Sequence, residues 1–218
     1  MNRCTSVSTA VVAALLLAGC NTPARRVSSS AKPAAVAPAV PAPKTLAPVP
    51  GRPAAELRFQ NALLLMQDQR PQDAQLALQS LLKDYPDLSG AWTDVGIIQA
   101  RGKQRAQAIA SFEKAIAANP SNTVALNWCG AQYREAGDLK RAEQRWQRAI
   151  ELRPDYAAAV LNLAILYDVS MQRSQDALPL YRRYQELSGG KDLIVSAWVR
   201  DLESRGAVVA DAGNGAGR

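Results

Sequence analysis

The chain has 218 residues and a formal net charge of +7, with 26 lysines and arginines, 19 aspartates and glutamates, no histidine and three cysteines. The absence of histidine excludes Ser-His-Asp and Cys-His catalysis and the usual zinc sites that contain histidine, so an enzyme is disfavoured. Cys4, Cys20 and Cys129 are too far apart for a CxxC metal site, and with no cofactor motif present we expect no metal, cofactor or disulfide framework.

Residues 1–19 have the composition of a secretory signal sequence. Arg3 precedes an apolar run from Ala10 to Ala18, which is far shorter than the roughly 20 residues that a membrane-spanning helix needs. The run ends in Leu17-Ala18-Gly19-Cys20, which resembles the lipobox of bacterial lipoproteins, where the cysteine is acylated and becomes the new amino terminus. The resemblance implies a lipid anchor at Cys20; an ordinary secretory signal is the alternative.

The residue after Cys20 bears on the destination of the protein. Lipoproteins that stay in the inner membrane commonly have an aspartate at that place, whereas this chain has Asn21. The resemblance therefore implies a protein that is anchored in the bacterial outer membrane and faces the periplasm. Two or more acyl chains are enough to hold a protein firmly at a bilayer.

The anchor and the segment after it, residues 20–53, form a predicted disordered tether. Residues 21–53 contain eight of the 13 prolines and no acidic or aromatic residue, a composition that cannot bury enough apolar surface to fold. The tether contains five basic residues: Arg25, Arg26, Lys32, Lys44 and Arg52. They give solubility or, alternatively, weak attraction to anionic lipid or cell wall. Residues 54–218 are nearly balanced, with 20 basic and 19 acidic residues, which argues against nucleic-acid binding.

Three series of residues recur in the rest of the chain with a period of 34. They consist of prolines, of small residues and of alanines: Pro86, Pro120 and Pro154; Ala62, Gly96, Gly130 and Ala164; and Ala74, Ala108, Ala142 and Ala177, with a last spacing of 35. A fixed period of this length indicates stacked helical hairpins.

The best copy, residues 122–155, resembles the tetratricopeptide repeat, whose pattern is a large apolar residue, Leu-Gly, Tyr, Ala, an aromatic residue, Ala and Pro. Its residues at these places are Leu126, Cys129-Gly130, Tyr133, Ala142, Trp146, Ala149 and Pro154. The second copy has Trp92, Val95-Gly96, Ala108, Phe112, Ala115 and Pro120. The resemblance extends from residue 54 to about 188 and implies an all-α fold, a right-handed superhelix of about four helix-turn-helix repeats, each with a helix A and a helix B.

The outer copies depart from the pattern. The first has Arg58 and Asn61 at places for large apolar residues, and the fourth has an extra residue before helix B, Pro179 within that helix and Gly189-Gly190 in place of the closing proline. A capping helix should follow, because five apolar residues come at helical spacing: Ile194, Val195, Trp198, Val199 and Leu202. We assign the repeat domain to residues 54–205 and predict a disordered tail over 206–218.

The resemblance implies a concave groove that binds a partner along the A helices. Matching the repeats assigns twelve residues to this groove: Phe59, Leu63, Met66, Thr93, Ile97, Arg101, Asn127, Ala131, Arg134, Leu161, Ile165 and Asp168. The groove changes from apolar in the first repeat to mixed polar in the middle. It therefore suits an apolar helix or extended protein segment better than a clamp for a C-terminal carboxylate.

Two further features are interpreted as structural. Cys129 lies between helices with no histidine to activate it, so we expect a buried thiol and not a nucleophile. One helix B has a basic side, which we interpret as solvated outer surface, with a docking patch as the alternative: Lys140, Arg141, Arg145 and Arg148.

Anchor, tether and repeats together resemble the pilotin-like lipoproteins that help to assemble type IV or Tad-type pili by escorting or stabilising the outer-membrane secretin. The resemblance implies a non-catalytic protein-interaction scaffold whose partner is a secretin or pilus component. The long basic tether favours an alternative, an adaptor for peptidoglycan enzymes or another envelope complex. An enzyme that uses the scattered carboxylates is a third hypothesis.

Overall fold

The structure, a computed structural model, describes the backbone of residues 53–215 and the side chains of residues 53–205. The predicted signal sequence, Cys20 and the tether up to residue 52 lie outside the described residues. Over the described range the chain forms nine α-helices and one π-helical turn without a strand, which confirms the all-α fold class. The helices are α1 Pro53–Gln67, α2 Pro71–Asp84, α3 Ser89–Arg101, α4 Arg105–Ala118, α5 Thr123–Glu135, α6 Leu139–Leu152, α7 Ala157–Ile165, α8 Ser174–Leu187 and α9 Leu193–Gly215.

The first eight helices pair into four repeats. Helix A of each repeat (α1, α3, α5, α7) packs against its own helix B (α2, α4, α6, α8), and each helix B packs against the next helix A. Helix α3 also touches α5, and α5 touches α7, so these A helices form one layer of the stack. Helix α9 packs on α8 at the position predicted for the cap.

In the second and third repeats helices A and B cross closely because a glycine in helix A faces an aromatic ring in helix B. A Cβ atom on Gly96 would lie 2.6 Å from the Phe112 ring, and one on Gly130 would lie 2.8 Å from the Trp146 ring. Both rings are fully buried. The recurring small residue is therefore a steric requirement of the repeat.

The turn between helices A and B has the same backbone geometry in every repeat. One residue in each turn is left-handed: Gln69, Lys103, Gly137 and Gln172, with φ of 58°, 59°, 81° and 56°. The next amide then donates a hydrogen bond back to helix A: Arg70 to Leu65, Gln104 to Gln99, Asp138 to Tyr133 and Arg173 to Tyr167, over 2.7 to 2.9 Å. Only Gly137 adopts this conformation without steric cost, so sequence alone indicates just one of the four turns.

The extra residue of the fourth repeat is accommodated by a π-helical turn, Leu166–Ser170, directly after α7. A single inserted residue widens a helical turn in this way. Asp168 within the turn is buried and accepts hydrogen bonds from the Ser174 hydroxyl at 2.9 Å and the Tyr181 hydroxyl at 3.3 Å. These bonds fasten the widened turn to α8.

The first repeat shows why its sequence departs from the pattern. The Arg58 guanidinium forms an ion pair with Asp84 of α2 at 2.6 Å and donates to the Ser80 hydroxyl at 3.2 Å. Asn61 is exposed. Its counterparts in the second and third repeats, Val95 and Cys129, are buried against the preceding helix B.

The C-terminal helix is longer than the sequence predicts. We expected disorder from Gly206, whereas α9 continues as a helix to Gly215. One glycine costs a helix only about 1 kcal/mol relative to alanine, and the next residues, Ala-Val-Val-Ala-Asp-Ala, contain no proline. No helix among residues 53–215 combines the length and apolar character needed to cross a bilayer.

Gly130→Ala should destabilise the fold by about 1–3 kcal/mol, because the added methyl must displace the buried Trp146 ring and this overpacking outweighs the gain in helix propensity. Urea unfolding followed by circular dichroism measures the change. The control is Gly102→Ala at the end of α3, where a Cβ would lie no closer than 3.4 Å to its nearest neighbour. Equal stabilities of the two variants would contradict the steric explanation.

Candidate protein-binding face

The structure places the twelve predicted groove residues on the A helices and the π-helical turn, but it buries most of them. Arg101 is exposed, and Leu63, Met66 and Arg134 are half-buried. The buried ones are Phe59, Thr93, Ile97, Asn127, Ala131, Leu161, Ile165 and Asp168. The repeat register also corrects one assignment, because Ala100, and not Arg101, is the counterpart of Met66 and Arg134.

Asn127, one of the predicted contact residues, lies in the interior and forms hydrogen bonds with other helices. Its Oδ1 accepts hydrogen bonds from Trp146 Nε1 at 2.9 Å and Asn162 Nδ2 at 3.1 Å, and its Nδ2 donates to the Tyr156 hydroxyl at 3.3 Å. The side chain is completely buried. It joins α5 to α6 and to the start and middle of α7, so it is a structural residue.

Sequence analysis missed Asp94 on α3, which is partly buried and has neither a hydrogen bond nor an ion pair among the described residues. In the third repeat its place is taken by Trp128, whose ring stacks on Phe112 at 6.3 Å. A carboxyl group thus occupies a place that is apolar in the next repeat. Burial raises the pKa of Asp94 from 3.8 to about 7, and the charge of Arg101 limits the rise.

Asp94 differs in burial from the other unpaired acids. Among the described side chains, the remaining acidic residues that lack a hydrogen bond and an ion pair are exposed: Asp68, Asp155 and Glu186. Water solvates those three carboxylates freely, whereas it solvates Asp94 poorly. The carboxyl of Asp94 therefore has unmet capacity to accept a hydrogen bond or a charge.

Arg134 on α5 is a basic residue in a situation similar to that of Asp94. It is half-buried and has no hydrogen bond, ion pair or ring contact within residues 53–205, and burial lowers the pKa of its guanidinium. The other basic side chains in that range without such contacts are exposed: Lys83, Arg101, Lys103, Lys140, Lys191 and Arg200. We call the side of the A helices that carries Leu63, Met66, Asp94, Arg101 and Arg134 the A-helix face.

The charges on the B helices are largely paired. Of the predicted basic side, Arg145 bonds to Glu113 at 2.7 Å, Arg148 bonds to Glu151 at 3.0 Å, and Arg141 pairs with Asp138. Lys140 stays exposed. These carboxylates pair with all three arginines of the basic side. The charged residues of the B helices that stay unpaired, Lys83, Lys140 and Glu186, are exposed to water.

Cys129 is a buried free thiol, as expected. Its Sγ donates a weak hydrogen bond to Glu113 Oε1 at 3.4 Å. Burial, together with the negative charge of Glu113, raises the pKa of the thiol above its ordinary value. The thiolate needed for nucleophilic chemistry is therefore strongly disfavoured.

Comparison with known proteins identifies the repeats. A tetratricopeptide repeat model matches residues 59–123, and a second model, described as TPR repeat, matches residues 130–168. Residues 59–123 and 130–168 therefore consist of tetratricopeptide repeats, units that in general bind protein partners and belong to non-catalytic scaffolds.

Solved structures share the fold at low sequence identity. PilF of Pseudomonas aeruginosa is 20% identical, with a TM-score of 0.63 over 74% of this chain and 72% of PilF. MamA of Desulfovibrio magneticus is 22% identical, with a TM-score of 0.57 over 63% of this chain and 77% of MamA. Identities this low establish a common fold and nothing further.

A curated relative matches over a short segment only. The probable UDP-N-acetylglucosamine–peptide N-acetylglucosaminyltransferase SPINDLY of Solanum lycopersicum is 37% identical over 59 residues. The match spans 27% of this chain and 6% of the transferase. It is a partial repeat match.

Asn127→Ala should lower the free energy of unfolding by about 2–3 kcal/mol, because the buried Asn162 amide and Tyr156 hydroxyl lose their partner. Thermal unfolding of the purified chain measures the loss. Asn61→Ala, at an exposed position of α1, is the control and should be neutral. An unchanged melting temperature for Asn127→Ala would contradict the structural role.

Asp94→Asn should stabilise the protein at pH 8 by about 1–3 kcal/mol. The folded-state pKa of about 7 lies above the unfolded value, so the folded state binds more protons between those values and loses stability as pH rises from about 4 to 7. The advantage of the variant should therefore vanish near pH 4. Unfolding curves from pH 4 to 8, with exposed Asp68→Asn as control, test this; a gain that is independent of pH would contradict it.

Proposed function

We propose that this tetratricopeptide-repeat chain is a non-catalytic scaffold, lipid-anchored in the bacterial outer membrane, that assists the assembly of a pilus or secretion machine. The observation that carries the scaffold role is the A-helix face. Its two partly buried charged residues, Asp94 and Arg134, have no partners within the described chain, whereas all three arginines of α6 are paired. A surface that retains poorly solvated, unpaired charges is suited to a partner that supplies the missing interactions.

The proposed location rests on the sequence before the repeats. Leu17-Ala18-Gly19-Cys20 follows a short apolar run, and Asn21 follows the cysteine. The tether of residues 21–53 could reach on the order of 100 Å if extended and about 30 Å as a flexible coil. Such a tether lets the repeats engage a machine at some distance from the lipid anchor.

The pilus assignment has two supports. The order of lipobox, proline-rich tether and repeats resembles the lipoproteins that assist secretin assembly. The repeat domain also has the fold of PilF over 72% of that protein. Both supports concern architecture, so the partner of this chain, a secretin or another pilus component, is part of the proposal.

The basic tether favours a second candidate function, an adaptor for peptidoglycan enzymes or another envelope complex. Residues 21–53 contain five basic residues and no acidic residue. A segment of this charge is attracted to anionic polymers and lipids of the envelope. An adaptor of this kind would bind a wall enzyme through the same A-helix face.

A gene deletion complemented with the wild type or with Cys20→Ala tests the first function. We expect Cys20→Ala to move the protein out of the membrane fraction, because it removes the acyl chains, and to reduce secretin multimers and surface pili to the level of the deletion. Cys4→Ala, within the predicted signal sequence, is the matched control and should behave as the wild type. Immunoblots of membrane fractions and electron microscopy of pili provide the measurements.

Two results would count against this function. If secretin multimers and pili are unchanged in the deletion strain, the pilus role fails, and recovery of peptidoglycan enzymes with the wild-type protein would support the adaptor. If Cys20→Ala stays in the membrane fraction, the lipid anchor is wrong whatever the partner.

A further inference from the structure

We propose that the A-helix face binds a protein segment of mixed charge, with a basic side chain of the segment on Asp94 and an acidic side chain on Arg134. The inference rests on the proposed scaffold function and specifies the chemistry of the partner.

Asp94 has no neighbour that meets the needs of its carboxylate. Arg101 influences it electrostatically but forms no ion pair with it. The two residues are seven positions apart on α3, which separates their backbones by about 10 Å along the helix axis. A lysine or arginine of a partner could approach more closely and would replace the water that burial removes.

Arg134 likewise forms no ion pair, and the charge of the adjacent Glu135 only partly offsets the effect of burial on the pKa of its guanidinium. The adjacent Glu135 is engaged by Arg105 of α4 at 3.5 Å. Asp168, the counterpart of Arg134 in the fourth repeat, accepts hydrogen bonds from Ser174 and Tyr181. The acidic groups on neighbouring A-helix positions are therefore occupied, and a partner carboxylate would supply the planar two-oxygen acceptor that a guanidinium binds best.

The two charges are independent of each other. The guanidinium of Arg134 is not among the charges that affect Asp94, and the converse also holds. They therefore do not form a long-range pair, and each needs its own partner group. Besides the exposed Arg101, the face thus presents one partly buried negative site and one partly buried positive site, on the consecutive A helices α3 and α5.

This combination disfavours other ligands. A purely apolar segment would bury the Arg134 guanidinium without a partner and would leave the Asp94 carboxyl protonated and without a hydrogen bond, which is unfavourable. A nucleic acid or an anionic lipid head group would suit Arg134 but would be repelled by an ionised Asp94. A polypeptide segment carries both signs of charge on adjacent side chains, so it can satisfy both sites at once.

The test uses the full chain as purified from its host, in detergent micelles, and a phage-displayed library of random twelve-residue peptides. We expect the selected peptides to be enriched in Lys or Arg together with Asp or Glu. For the best synthetic peptide, fluorescence anisotropy should show about tenfold or weaker affinity for Asp94→Asn and for Arg134→Gln, because each variant leaves a peptide charge unpaired. Matched controls, exposed Asp68→Asn and Arg200→Gln, should bind within about twofold of the wild type.

A second measurement identifies the pairs. Replacing the basic peptide residue by methionine should weaken binding to the wild type but add little to the loss already caused by Asp94→Asn. Circular dichroism spectra of each variant show whether it is folded, so that a loss of binding caused by unfolding is recognised.

Three results would overturn the inference: no enriched peptide, peptides without charge enrichment, or unchanged affinity of both variants. None of these depends on pili or on membrane location, so a failed pilus assay and a failed peptide assay point to different errors. If the peptides bind as expected but the deletion strain makes normal pili, the mixed-charge face is supported and only the pilus role is wrong.

Discussion

The close crossing of helix A over helix B is the constraint on which the rest of the structure depends. Gly130 brings the backbone of α5 onto the Trp146 ring, and Gly96 does the same for α3 and Phe112. Once Trp146 occupies that place, its indole Nε1 donates to Asn127, which in turn holds Asn162 and Tyr156. A steric contact within one repeat is thus coupled through hydrogen bonds to the next repeat.

The 34-residue period of the sequence predicts the repeat fold but not the backbone conformation of its turns. Three residue series at 34-residue spacing predicted the repeats, because glycine and alanine are required where two helices touch. The left-handed turn residues Gln69, Lys103 and Gln172 could not be predicted, since only the hydrogen-bonded turn around them holds a non-glycine residue there. The inserted residue of the fourth repeat was visible in the spacing, but its π-helical form was not.

The binding face that the repeat register predicts lies on the A helices and the π-helical turn, but the structure buries most of the residues assigned to it. In a stack of closely spaced A helices, small and apolar residues at groove positions pack on their neighbours, so Ile97, Ala131 and Ile165 are buried. The repeat register does not indicate which charged side chains form hydrogen bonds or ion pairs. Asp94 stands out only when every other acid in the described chain has been matched to a partner or to solvent.

Asp94 and Arg134 weaken the isolated fold, and that cost argues for their role. An asparagine or an apolar residue at position 94 would suit the place that Trp128 fills one repeat later. Proteins retain such destabilising groups at sites of function, where a ligand offsets the cost on binding. All three arginines of α6, in contrast, have carboxylate partners within the fold. The unpaired charges of the B helices are exposed to water, whereas the A helices hold one partly buried, unpaired charge of each sign that another molecule could pair.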